Sequence, residues 1–127
     1  MNFEKVLFGF FVVLAATLNF GFFIGDISDP RLHNQWELYA ALTVNLIATI
    51  LKFGDRTQIG AVHLATSLVA DIQLIAATVV FVWASSQPTG LDAHTTSAVV
   101  SLSGGALLAN LVSMTLLVID TTSFRRR

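Results

Sequence analysis

Asp71 stands almost midway along a run with no other charged residue, Gly60–Ala84, which reads GAVHLATSLVADIQLIAATVVFVWA. Such a run suits a slightly tilted helix crossing a hydrocarbon layer about 30 Å thick. A carboxylate at that depth is costly when ionised and alone, so it protonates, finds partners or faces water. The chemistry open to it is proton acceptance or cation ligation. Asn45 and Asn110 fall near the middles of two other apolar runs. At equal depth, the two carboxamides can donate to Asp71 as a carboxylate, or one can accept from it as an acid. His63 lies two helical turns from Asp71 in the same run, and an imidazole titrates in the range a proton relay needs. The same residues also admit a purely structural role, as interhelical hydrogen bonds of about 0.6 kcal/mol each.

Other chemistry is poorly served. Cysteine is absent, which removes thiolate nucleophiles, disulfides and cysteine metal sites. His33 and His94 lie near Asp26, Asp29 and Asp92, but with no ligand spacing that predicts a metal site. Ser103-Gly104-Gly105 sits inside an apolar run and is a small-residue patch, not a phosphate loop. No HExxH pattern and no spaced Ser, His and Asp set occurs. Neither an enzyme nor a bound cofactor is expected.

These residues must be positioned by membrane helices. Of 127 residues, 54% are hydrophobic and 12% charged, with mean hydropathy +0.73. One domain of this size has too little interior to hide that much apolar surface from water. The net charge of −1 and the lack of a basic, aromatic patch argue against nucleic acid. Four spans are predicted, at about 5–25, 35–53, 60–84 and 96–119, in a single domain over 1–127. Val13-Leu14-Ala15 resembles a signal cleavage site, yet Glu4 weakens the basic start and the apolar run continues past it. The first run is therefore expected to remain as a span.

Helical spacing places small and polar residues on seams. In the first span Gly9, Val13, Ala16 and Phe20 share a face; in the second, Glu37, Ala41, Asn45, Ala48 and Lys52 do. In the third, Ser67 joins Asp71, while Thr66, Gln73 and Ala77 point nearly the opposite way; in the fourth, Ser103, Ala106, Asn110 and Ser113 align. Small residues let helices approach closely, so Gly9, Ala16, Ala41, Ala48, Ser67, Ser103 and Ala106 are expected at helix interfaces. Two polar faces predict a central third span. Lys52 is expected to snorkel to headgroups, Asp55 and Arg56 to shape the tight turn, and the final arginines to meet anionic lipid. Lys5, Lys52, Arg56 and Arg125, Arg126 and Arg127 fall on one side, against Arg31 alone on the other. That bias predicts cytoplasmic termini.

The segment Phe53–Leu74, FGDRTQIGAVHLATSLVADIQL, resembles an uncharacterised family of small four-span bacterial inner-membrane proteins. The resemblance covers most of the chain and implies a bacterial inner-membrane location, but it brings no functional residues. Small multidrug transporters are similar in length and span count, yet they carry their acid in the first span, where this chain has only Asn19. Voltage sensors need arginines along the fourth span, and there are none. The expectation is an all-α integral membrane protein, an antiparallel bundle of four transmembrane helices. It is expected to move protons or monovalent cations at Asp71, with Asn45 and Asn110 tuning that site and His63 relaying. The bilayer, and a homo-oligomer or larger membrane complex, are the expected partners. Two alternatives are a non-transporting accessory protein with a structural polar seam, and a dimeric exporter of small solutes.

Overall fold

The computed structural model describes residues 3–25, 29, 31, 33–54 and 57–126, without the side chains of 121 and 123–126. Asp26, Asp55, Arg56 and Arg127 lie outside the described residues, as do the side chains of Arg125 and Arg126. The described chain is helical: α1 (Phe3–Phe23), α2 (Gln35–Lys52), α3 (Gln58–Ser85) and α4 (Ala93–Arg126).

Capping side chains set three of the starts. Asn34 Oδ1 accepts from Trp36 N–H at 2.9 Å, Thr57 Oγ1 from Gly60 N–H at 3.0 Å, and Asp92 Oδ1 from Thr95 N–H at 2.7 Å. Each satisfies an amide that the first helical turn leaves without a partner. Thr57 and Asp92 explain why α3 and α4 begin two or three residues before the apolar runs do. At the other end α1 stops before Gly25, whose φ of 114° suits a residue without a side chain.

α1, α3 and the Ala93–Asp120 part of α4 are each long and apolar enough to cross a membrane. α2 is the exception. Its 18 residues rise only about 27 Å, and Gln35, Glu37, Asn45 and Lys52 dilute its apolar content.

The helices form a ring in which each packs on two neighbours, α1 on α2 and α4, and α3 on α2 and α4. Lys5 of α1 pairs with Asp120 of α4 at 2.8 Å, fixing the start of one beside the end of the other. α3 thus occupies a corner, not the centre. Its two polar faces merge into one broad arc: Asp71 turns toward α2, and Thr66 toward α4.

The packing is inverted relative to a water-soluble bundle. Ile72, Val79, Trp83, Leu108 and Val118 are more than 60% exposed, whereas Asn19, Asn45, Asp71, Ser103 and Asn110 are buried. Lipid accepts the large apolar side chains, and polar ones retreat into protein, where hydrogen bonds are available. The same preference corrects the expected face of α1. Val13 and Phe20 are exposed, and the buried stripe is Phe8, Val12, Ala15, Ala16, Asn19 and Phe22.

Two apolar clusters bracket the polar interior. One is built on Phe8, Val12 and Ala48 near the Lys5–Asp120 end, here the terminal end. The other includes Phe22, Leu38, Ala77, Phe81, Val99 and Val100 and fills the opposite end. Glycines bring the helices close. A Cβ on Gly104 would come within 2.8 Å of the Phe23 ring, and one on Gly105 would overlap the Gln73 amide. The patch in α4 is therefore where α1 and α3 both approach it.

Candidate functional site

His63, Ser67 and Asp71 follow one another at four-residue steps along α3, so they stack on one face, and all three are buried. Asp71 meets Thr49 of α2: Thr49 Oγ1 lies 2.5 Å from Asp71 Oδ2 and 3.0 Å from the Asn45 carbonyl oxygen one turn back. Asp71 Oδ1 has no hydrogen-bond partner among the described residues, and neither has Nδ2 of Asn45 or of Asn110.

Asn45 and Asn110 do enter the same layer. Thr49 fixes the height of α2 against α3, and Thr66 against Ser113 fixes α4, so each asparagine comes within about one helical turn of Asp71. The direct partner, however, is Thr49. The α2–α3 crossing brings a short β-branched side chain one turn beyond Asn45 against the carboxyl group. Thr49 was legible as a candidate, lying four residues after Asn45 and three before Lys52 on the same seam, but Ala48 beside it is the smaller and drew the seam toward itself. Asn19 lies at the edge of this layer and accepts from Ser103 Oγ at 3.3 Å.

His63 anchors a second cluster nearer the terminal end. Its Nδ1 lies 3.1 Å from Ser113 Oγ, which lies 3.1 Å from Thr66 Oγ1, which donates to the His63 carbonyl at 2.9 Å. Each hydroxyl has one hydrogen to give. Thr66 uses its own on the carbonyl, so Ser113 donates to Thr66, and His63 Nδ1–H donates to Ser113. That assigns the proton of neutral His63 to Nδ1 and leaves Nε2 as the basic nitrogen. The imidazole also meets the Phe8 ring edge-on, with centroids 4.9 Å apart.

Lys52 differs from expectation. It is buried, not extended to the headgroups, and its Nζ sits 4.4 Å from the Phe8 ring centroid in a cation–π contact. The shortness of α2 explains this: its last turn stops within the bundle, so Lys52 has protein around it.

The expected interface residues occupy seams. Ala16, Ala41, Ala48, Ser67, Ser103 and Ala106 are buried, and Gly9 is half-buried, where an added Cβ would lie 3.1 Å from Leu117. At the far end His33 is buried too. Its Nδ1–H donates to the Phe22 carbonyl oxygen at 2.5 Å, closing the end of α1. Asp29 is taken by Arg31, whose guanidinium hydrogen bonds hold its carboxyl below the usual range. Asp92 is held low by the Thr95 amide it caps. Among the described residues no three His, Cys, Asp or Glu side chains gather as a metal site would require.

A buried acid, a threonine hydroxyl, two amides and an imidazole row thus lie inside a helical bundle with an apolar exterior. This is the architecture of a polytopic membrane protein with a polar interior. The chain belongs to a family of unknown function (DUF6394), which it matches over residues 32–121. That segment holds Asn45, Thr49, Lys52, His63, Asp71 and Asn110, while Asn19 precedes it. No curated protein and no solved structure matches the chain.

Proposed function

We propose that this protein is a small bacterial inner-membrane protein, not an enzyme, that moves protons or monovalent cations, with Asp71 as its intramembrane site. The observation that carries the reading is the burial of Asp71 inside the bundle with Oδ1 lacking a hydrogen-bond partner among the described residues. An acid kept at that cost is by default a functional group. Asn45 and Asn110 supply nearby amides, and His63 a titratable neighbour. In this reading all four helices span, α2 with its charged ends at the interfaces or in protein. The termini are cytoplasmic, since by sequence order Lys5, Arg56 and the three final arginines are assigned to one side of the four spans even with Lys52 drawn inward. One such bundle is narrow, so transport proceeds in a homo-oligomer or a larger membrane complex.

The test is proton and potassium flux into proteoliposomes, wild type beside Asp71→Asn, with both shown to be folded. Flux that disappears in a folded mutant supports the reading. Equal flux in both, or none in either, sinks it.

A second reading has its own support. The Asn19–Ser103 and His63–Ser113–Thr66 bonds join different helices, which is what an accessory protein held together by its polar seam would use. In that case Asp71→Asn keeps both stability and function, because the amide still bonds Thr49.

A further inference from the structure

We infer that the ion taken up at Asp71 is the proton, and that it exchanges with the terminal end of the bundle through the His63–Ser67–Asp71 row. This rests on the reading of Asp71 as an ion site and narrows it.

Hydrogen counting at Thr49 points to the proton. Its single hydroxyl hydrogen faces two oxygens, the Asn45 carbonyl at 3.0 Å and Asp71 Oδ2 at 2.5 Å. A carbonyl oxygen only accepts. A proton on Asp71 Oδ2 gives every contact its own hydrogen: Asp71 donates to Thr49, and Thr49 donates to Asn45. A metal cation in that place finds much less. Alkali ions replace their hydration shell with several oxygens, whereas Asp71 Oδ2 has a single hydroxyl, that of Thr49, against it among the described residues. Lys52, buried three residues from Thr49 on the same helix, adds a positive charge on the terminal side. It opposes a metal ion entering from there, while a proton passing between neutral carriers brings its charge only one step at a time.

The route follows from what surrounds the acid. Toward the terminal end Ser67 stands one turn from Asp71 and His63 one turn further, about 6 Å per step, a spacing that one bridging water covers. The Ser113 and Thr66 bonds hold His63 with Nδ1 protonated and Nε2 basic. A proton gained on Nε2 makes a transient imidazolium that gives it up again from Nε2, the Nδ1–H bond to Ser113 staying in place. Beyond His63 lies the Phe8 cluster, with Lys52 above it and Met114 and Leu117 packed against it, before the half-exposed Lys5–Asp120 pair. Toward the far end Leu74, Ala77, Phe81 and Ala84 are the buried residues of α3 above Asp71, against Phe22, Leu38 and Val99. They make about 15 Å of largely apolar packing, interrupted by half-buried Thr78 and by the buried Asn45, Asn19–Ser103 pair and Thr96. The charged and titratable side chains facing this interior are Asp71 and His63 from α3 and Lys52 from α2, with Glu37 against Gly21, Tyr39 against Phe81 and His33 against Phe22 at the far end. α1 and α4 face it with none among the described residues, their Lys5 and Asp120 pairing at its end.

The experiment is labelling of the full chain in proteoliposomes with a hydrophobic carbodiimide. The reagent adds to a protonated carboxyl group, the acid proton passing to the carbodiimide nitrogen, and the Asp71 adduct is read by mass spectrometry. Orientation is scored by protease cleavage of a C-terminal tag. The adduct is expected to fall as pH rises on the terminal side, approaching tenfold per pH unit above the midpoint, the slope of one titrating proton. It is expected to ignore pH on the far side and an excess of sodium or potassium. His63→Gln is expected to slow the response to a terminal-side pH jump severalfold, and Ser67→Ala to do the same if His63→Gln fails to fold.

Protection by sodium or potassium overturns the proton assignment. A response to far-side pH, or to both sides equally, overturns the route. No response to pH on either side, or no adduct at all, overturns the inference entirely. Wrong labelling with Asp71-dependent flux intact removes this inference alone. Correct labelling without flux leaves a proton-binding site and removes the transport reading.

Discussion

The Asp71 layer and the far-end apolar cluster lie in one bundle, a few turns apart, and are built on opposite terms. Around Phe22, Leu38, Phe81, Val99 and Val100 the interior is filled with side chains that satisfy each other by contact. Around Asp71 the interior holds buried polar atoms of Asp71, Asn45 and Asn110 with no hydrogen-bond partner among the described residues. In lipid, apolar packing gains little from leaving the solvent, because the acyl chains are as apolar as leucine. The far end therefore adds close packing, and the middle keeps polar groups at a cost. In the proposed reading, stability resides in one region and chemistry in the other.

Substitutions can break that contrast. The largest stability loss is expected from Leu74→Ala or Phe81→Ala. A water-soluble core loses about 2–5 kcal/mol for such a change, and here most of the transfer share is absent, leaving on the order of 1–2 kcal/mol of lost packing. Unfolding in detergent measures it, and a cost equal to that of a surface change such as Ile72→Ala would contradict the division. Ser103→Ala is expected to cost about 0.6 kcal/mol, the usual worth of a bond like that to Asn19, and to leave flux unaltered. Flux that collapses with Ser103→Ala would extend the site beyond the layer described. The smallest effect is expected outside the membrane. The Asp92 carboxyl is held low in the folded state, so its cap stabilises α4 above the unfolded-state pKa and that contribution is lost as pH falls through the lower folded value. Protection of the Thr95 amide, taken relative to its intrinsic exchange rate at each pH, should fall at acid pH in the wild type and be insensitive in Asp92→Asn. The same acid dependence in both would exclude the cap as its source.

Much of this was legible in the chain. Long apolar runs gave α1, α3 and α4, and a lone acid within one of them gave Asp71, because both signals survive averaging over a helix. Asn45 and Asn110 were found by depth, which a helix's constant rise makes readable. What stayed hidden depended on how helices meet. Thr49 became the partner of Asp71 through the angle and height of the α2–α3 crossing, which neither helix encodes alone. Lys52 is a similar case: its burial follows from where α2 ends relative to its neighbours, whereas snorkelling is inferred from a lysine at the end of a run. Val13 and Phe20 show a limit of face reading on α1, where every side is apolar and periodicity distinguishes little. The two polar faces of α3 pack against protein as their composition demands, but they belong to adjoining interfaces of a ring and not to opposite sides of a central helix.

The most direct test of Asp71 as the functional centre is proton flux in proteoliposomes for wild type and Asp71→Asn, measured with the unfolding midpoint of each. The account predicts flux in the wild type, its loss in the mutant, and nearly equal midpoints, since asparagine retains a hydrogen bond to Thr49. Unchanged flux in the mutant, or no flux in either with matching midpoints, would contradict it and return Asp71 to a structural role.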